Sequence, residues 1–306
     1  MSTPQRILVS GATGFVGRAV IRGAIAAGFR VTAATRDVVA ENQRIDGADY
    51  VSVGEIHATT DWRPALNGAD FVIHTAGATH VASHEQLQIV NVQGSERLAK
   101  QAVEVGVRRW VFVSSLGVHG AYSADHAIRA DDPLCPHDAY TESKVAAEER
   151  IRNVLEWSAT EWVIVRPPLI YGAEATGTVG RMAQLLRWRL PLPIASIRNR
   201  RSAIGVSNLA DFLIHSLRAK QAAGAAWVVA DERDYSSLEL FEMVARQHGY
   251  PCRAFACPEA WLRGLGYALH RERELNQLTQ SLFIDRSAVG ERLLWSAPYL
   301  ADQQWM

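Results

Sequence analysis

The chain is predicted to fold as an α/β protein around a doubly wound parallel sheet. Three observations predict it. Short apolar runs alternate with segments of helical period over the first two-thirds of the sequence. The first run, Arg6-Ile7-Leu8-Val9-Ser10, meets a glycine-rich turn, Gly11-Ala12-Thr13-Gly14-Phe15-Val16-Gly17, and a helical pattern follows. The 306 residues are 48% hydrophobic, enough for one large core or two linked domains. Together these imply a Rossmann-type sheet with a smaller C-terminal substrate domain.

Each element has its own signal. Residues 18–27 carry apolar positions at helical spacing and stop at Gly28, a helix-ending glycine. Strands are predicted over 29–35, 49–53, 70–75, 108–114 and 161–166, the last closed by Pro167-Pro168. Helices are predicted over 61–66, over 86–105 up to Gly106, and from an Asp138 cap to about 157. Strands separated by helices pair in parallel through right-handed crossovers.

After Tyr171-Gly172 the texture changes. Residues 173–180 are small and polar with glycine, and read as a mobile loop. A helix is expected over 181–189, then a strand over 202–206 and a Ser207-capped helix to about 220. A strand at 225–230 should return to the main sheet. Ser236 and Glu239 have capping-box spacing before a helix that ends at Gly249. Residues 258–278 read as mostly helical, and a short helix precedes Trp295. The expected domains are 1–170 with about 205–232, and 171–204 with 233–306.

Composition removes several classes of function. Lysine plus arginine equals aspartate plus glutamate at 32 each, so no global field favours nucleic acid or a membrane surface. Cys135, Cys252 and Cys257 fit a reducing compartment better than a disulfide framework, and no zinc spacing is present. Residues 1–6 are polar and run straight into a strand, unlike a signal peptide, and no apolar run has spanning length. A soluble, cytoplasmic protein without a metal is expected.

Three motifs carry chemistry. Glycines let the backbone turn tightly and let a phosphate approach the open N-terminus of the helix that follows. Gly11, Gly14 and Gly17 therefore point to a dinucleotide, although the spacing is G-x-x-G-x-x-G. Tyr140 and Lys144 stand four apart, so both can face one site. An ammonium beside a phenol favours the phenolate, and such a tyrosine can exchange a proton with an alcohol oxygen. A plain surface helix, with Lys144 paired to Glu148, is the competing reading. Ser114-Ser115 ends the fifth strand, where ligands gather in open parallel sheets.

With these residues the chain resembles the extended short-chain dehydrogenases/reductases, the nucleotide-sugar epimerase/dehydratase group. The resemblance runs through Ser10 to Gly17, His74-Thr75-Ala76-Gly77, Asn91-Val92-Gln93-Gly94, Val113-Ser114-Ser115 and Tyr140 to Lys144. It continues in Arg166 to Gly172 and Arg201 to Ala210. It implies that Ser115, Tyr140 and Lys144 form the catalytic set. It places Gly11, Thr13, Gly14, Phe15, Val16 and Gly17 at the cofactor. Thr75, Ala76, Gly77, Pro167 and Pro168 join them, with Glu55 and Ile56 beside the adenine. Asn91 matches a helix asparagine near the cofactor. Thr35-Arg36-Asp37 follows the second strand, and a small residue before arginine suits a 2′-phosphate. NADP(H) is therefore the expected cofactor, with NAD(H) left open by Asp37. Arg201 aligns with an arginine that pairs with a nucleotide diphosphate, and Ser115 and Leu169 are expected at the substrate. Departures are Glu55 for aspartate, Leu169 for asparagine, His119 for tyrosine and Asn208 for aspartate. A second, C-terminal diphosphate arginine is not evident.

The O-antigen subgroup of UDP-sugar 4-keto reductases and 4-epimerases is the nearest resemblance. It rests on Thr60-Asp61-Trp62, Leu190-Pro191-Leu192-Pro193 and Asn199-Arg200-Arg201-Ser202. It implies an NADP(H)-dependent oxidoreductase acting at C4 of a UDP-sugar. The alternatives are a 4-epimerase with bound NAD, a ketone or aldehyde reductase similar to dihydroflavonol reductases, and a nucleotide-sensing protein without turnover. Relatives of this kind pair as homodimers through two long helices, here residues 86–105 and 138–157.

Overall fold

The computed structural model describes residues 4–79, 82–123, 126–268, 270 and 272–305. Residues 1–3 of the polar N-terminus, and Leu269 and Arg271 in the predicted 258–278 helix, lie outside them.

Seven strands form the main sheet: β1 (Arg6–Ser10), β2 (Arg30–Thr35), β3 (Ala48–Ser52), β4 (Phe71–His74), β5 (Arg109–Val113), β6 (Glu161–Arg166) and β9 (Ala225–Val228). Their order is β3-β2-β1-β4-β5-β6-β9. Every pairing is parallel, and β9 is the returning strand that the sequence suggests. The order reverses at β1, so the ends of β1 and β4 flank the switch point.

Alternate strand residues feed two cores. Ile7, Val9, Val111 and Val163 pack under α1 (Phe15–Ala26), with Leu209 and Phe212 of a later helix. Leu8, Trp110, Phe112 and Ile164 pack on the other face with α2 (Arg63–Leu66) and the helices of residues 84–104 and 139–155. Burial on both faces is what a parallel sheet requires.

The predicted helix over 86–105 is interrupted. α3 (His84–Leu87) passes through a wide π-helical turn, Gln88–Gly94, before α4 (Ser95–Glu104). The turn carries Asn91, and single wide turns of this kind recur at functional sites. Asp138 caps α5 (Ala139–Leu155) through a capping box with Thr141.

A second sheet has three strands, β7 (Leu169–Tyr171), β8 (Arg201–Gly205) and β10 (Asp234–Tyr235), in the order β10-β8-β7. β8 answers to the strand expected over 202–206, whereas β7 and β10 are too short to read from alternation. The small sheet packs with α6 (Gly177–Arg187) and α8 (Ser237–His248) around Tyr171, Val179, Phe241 and Val244. α6 begins within the segment expected to be a mobile loop. α7 (Val206–Arg218) starts at a Gly205 cap, not at Ser207. The Ser207 amide instead donates to Gln304 Oε1 at 2.8 Å, because the C-terminal tail folds back over that helix end. Asn208 donates to Asp231 at 2.7 Å, where an aspartate would set two carboxylates together. The C-terminal segment breaks into α9 (Glu259–Ala268), α10 (Glu272–Thr279) and α11 (Ser287–Leu293). None of the helices described is long and apolar enough to cross a membrane.

Candidate active site

A cavity of about 1230 Å³ opens at the carboxyl ends of the main strands, between the two sheets. Every residue assigned to a site from the sequence lines it.

The glycine turn forms the floor. Gly11 adopts φ +69°, and a Cβ there would lie 2.7 Å from the Ala76 nitrogen. A Cβ on Gly17 would lie 2.1 Å from Gly11 O, so only glycine lets α1 start this close to the turn. Gly14 caps α1 without a side-chain bond, which leaves first-turn N–H groups for an anion. Thr13, Phe15 and Val16 complete this wall. This cradle fits a dinucleotide phosphate.

The β4 end is locked beside it. His74 is buried, with Nδ1 2.5 Å from Ser10 Oγ and Nε2 2.8 Å from Ser95 Oγ. Burial pushes its pKa down to about 3, so the ring stays neutral and both hydroxyls keep fixed partners. Thr75 Oγ1 donates to Ser10 O at 2.7 Å. These bonds hold Thr75, Ala76 and Gly77 against the glycine turn. Asn91 then clamps the next residue: Oδ1 accepts from the Ala78 amide at 2.7 Å, while Nδ2 donates to Ala78 O and to Ser143 Oγ. The wide turn in the helix aims this amide, and its role is to position the loop.

Lys144 and Tyr140 face inward from α5. The surface-helix reading fails because Glu148 is taken elsewhere. It is fully buried and grips Arg166 through two bonds, at 3.0 and 2.6 Å. Arg166 also donates to Ala130 O and His119 Nε2, so His119 is a packed loop residue. Lys144 Nζ donates instead to Val113 O at 2.9 Å and lies 6.0 Å from the Tyr140 ring centre. Burial draws the Lys144 pKa down to about 8. The Tyr140 pKa was expected to fall beside an ammonium. It rises instead to about 12, because burial and the nearby Asp138 charge both oppose the phenolate. Tyr140 is therefore held protonated at neutral pH. Ser115 Oγ accepts from the Gly117 amide at 3.2 Å and keeps its own proton to donate. Pro167 O accepts from the Leu116 amide, which fixes this loop beside Pro168 and Leu169.

At the far end, Arg36 is exposed and lies between two carboxylates, Asp37 at 3.2 Å and Glu55 at 3.5 Å. Glu55 and Ile56 line the same edge. A 2′-phosphate could compete for this guanidinium.

Residues 7–230 match the model of the NAD dependent epimerase/dehydratase family. The chain belongs to that family. The epimerase/dehydratase likeness extends over nearly the whole length: a UDP-glucose 4-epimerase of Vibrio cholerae is 30% identical over 304 residues, 96% of this chain and 92% of its own. A ceramide reductase of Caulobacter vibrioides is 31% identical over 216 residues, 70% of this chain and 62% of its own. Among solved structures, a UDP-glucuronic acid 4-epimerase from Bacillus cereus in complex with NAD aligns with TM-score 0.78 at 14% identity, covering 98% of this chain and 96% of that one. Such a structural likeness shows the shared fold. The resemblance to extended short-chain dehydrogenases/reductases holds, and the chain is an NAD(P)-dependent enzyme.

The loop before β8 holds more than its arginines suggest. Of its three, only Arg201 reaches the cavity. Arg198 donates to Ala195 O, and Arg200 pairs with Asp234 at 2.7 Å. Asn199, the first residue of the Asn199-Arg200-Arg201-Ser202 match, ties the lobe together. Its side chain bonds Ser237 N and Oγ, Leu278 O and Gln280 O. Arg181 also lines the cavity. Its signal was present in the sequence: residues 175–210 contain six arginines and neither aspartate nor glutamate.

Proposed function

We propose an NADP(H)-dependent oxidoreductase that acts at C4 of a UDP-linked sugar, as a 4-keto-sugar reductase. The observation that carries this reading is convergence. Ser115, Tyr140 and Lys144 share one cavity with the glycine turn and with Arg201. Residues 1–170 with about 205–232 would hold the cofactor, and 171–204 with 233–306 the substrate. A homodimer through α4 and α5 belongs to the same reading.

The nicotinamide, when bound, supplies the hydride. The glycine turn would hold its phosphates and Arg36 its 2′-phosphate. Ser115 Oγ would donate to the carbonyl oxygen and orient it. Tyr140 would deliver its proton to that oxygen, a role suited to a phenol kept protonated by burial. Lys144 spends one of its three donors on Val113 O, which leaves two for ribose hydroxyls. Arg201 would hold the diphosphate.

A second reading is 4-epimerisation with bound NAD. It is favoured by the full-length likeness to a UDP-glucose 4-epimerase and by the carboxylates that hold Arg36. One experiment separates the two. Purified protein is given a UDP-4-keto-6-deoxy-sugar with NADPH, and NADPH absorbance is followed. In parallel it is given UDP-glucose or UDP-N-acetylglucosamine without added cofactor. Loss of absorbance in the first arm supports the reductase. C4 epimer in the second arm, with none lost in the first, would replace that reading by the epimerase.

A further inference from the structure

The cavity wall built around the small sheet carries two guanidinium groups, and they are held in opposite ways. Arg201 on β8 is half-buried and already committed. Its Nη1 donates to Gln277 O at 2.8 Å and Gln280 O at 3.0 Å. Arg181 on α6 is exposed, and among the described residues its one polar contact is Thr178 Oγ1 at 3.2 Å. A guanidinium offers five donors. Most of the Arg181 fork is therefore unspent at the edge of a ligand cavity.

Among the described residues, no acid pairs with it. Glu174, the last acid before α6, is engaged by Arg18 at 3.2 Å and Arg22 at 3.5 Å on α1. The next acid in sequence is Asp211. Among the described residues, three carboxylates line the cavity itself. Asp37 and Glu55 pair with Arg36, and Asp138 caps α5. The stretch that carries Arg181 is thus a local positive field in a chain of zero net charge.

Resting on the nucleotide-sugar reading, we propose that Arg181 is a second substrate-holding arginine, recruited from α6 onto the diphosphate that Arg201 receives. Arg201, fixed by backbone carbonyls, sets where the anion sits. Arg181 leaves Thr178 and closes on it once it has arrived. The resemblance places a second arginine toward the C-terminal end of the chain, where none is evident. The topology supplies one from the helix after β7.

The test is calorimetric titration of UDP into the full chain saturated with cofactor. The parent is compared with Arg181→Ala, Arg181→Gln and Arg181→Lys, and with Arg201→Ala. Charge-assisted hydrogen bonds of this kind predict a loss of UDP affinity of about tenfold or more for the alanine and glutamine variants. Lysine should restore part of it. Cofactor affinity and melting temperature should stay at the parent values, since Arg181 is exposed. If both neutral variants bind UDP as the parent does while Arg201→Ala loses it, the proposal is overturned and the nucleotide-sugar reading stands. If cofactor affinity falls together with UDP affinity in both, Arg181 is structural and the proposal is overturned. If the parent itself does not bind UDP, the functional reading fails and takes the proposal with it.

Discussion

The two ends of the cavity are built from different materials. The end proposed for the cofactor is mostly backbone. Gly11 and Gly17 approach carbonyl and amide atoms so closely that no side chain fits, and His74, Ser10 and Asn91 hold those strands with buried bonds. The end proposed for the substrate is mostly side chain on carbonyl. Arg201 and Asn199 reach across to the 277–280 segment, and Arg181 stands nearly free. A wall of backbone recognises what every cofactor shares. A wall of reaching side chains can be altered one residue at a time without unfolding the sheet. Fold and cofactor chemistry should therefore resist change at one end, while substrate choice varies at the other.

The largest effect should come from filling the backbone wall. Gly17→Ala sets a Cβ 2.1 Å from Gly11 O, and backbone cannot swing aside as a side chain would. Overpacking of this kind costs roughly 1–3 kcal/mol. Cofactor affinity, read by fluorescence titration, should fall by on the order of a hundredfold at the upper end of that range. A variant with parental affinity would show that the turn yields, and the contrast between the two ends would weaken.

Lys144 tests the same end through pH. Burial pulls the Lys144 pKa down to about 8, from 10.5 for the free group. Below pH 8 the cost of burying its charge is present in full. Between about 8 and 10.5 the unfolded chain binds more protons, so stability rises with pH. Lys144→Met removes that cost and also the bond to Val113 O. The variant should be inactive yet more stable at pH 7, by about 2 kcal/mol after the lost bond is counted. Its advantage should close by about pH 10.5. Urea unfolding across that range measures it. A variant less stable than the parent at pH 7 would mean that the hydrogen bond outweighs the burial.

The convergence of the three motifs on one cavity was legible in the sequence because their signals are local. A glycine turn follows a strand, a serine ends a strand, and Tyr140 and Lys144 sit one helical turn apart. The strand order follows from alternation and handed crossovers. Of the small sheet only β8 was legible, as the strand over 202–206. β7 and β10 are three and two residues long, too short for any period to register. Asn199 joins residues about eighty positions away, and nothing in its neighbours announces that. The π-helical turn at Asn91 leaves the apolar pattern of its helix nearly intact, so it reads as ordinary helix. The direction of the Tyr140 shift was missed because the depth of burial is set by the whole fold, not by the neighbouring lysine.

Asn199→Ala breaks the other wall. Four hydrogen bonds to Ser237, Leu278 and Gln280 disappear, and the carbonyls that position Arg201 loosen. Losing buried bonds costs about 1–2 kcal/mol where partners can turn to water. UDP affinity should fall by roughly tenfold, while cofactor affinity stays unchanged. Faster amide exchange confined to residues around 277–282 would locate the damage. An equal loss at the cofactor end would show that the two walls are not independent.

Asp37→Asn should give the smallest effect. Arg36 and Asp37 are both exposed, and surface pairs of this kind contribute little. Yet the pair stands where a 2′-phosphate would compete for the same guanidinium. Removing one carboxylate leaves Glu55 as the other partner. The ratio of NADP(H) to NAD(H) affinity should therefore rise by about two- to fivefold, the scale of one exposed ion pair. The shift should shrink at high salt, since these charges are open to screening. A ratio that falls would mean that Asp37 binds cofactor directly. It would then be the Asp37 carboxylate, and not the Arg36 guanidinium, that selects between the two nucleotides.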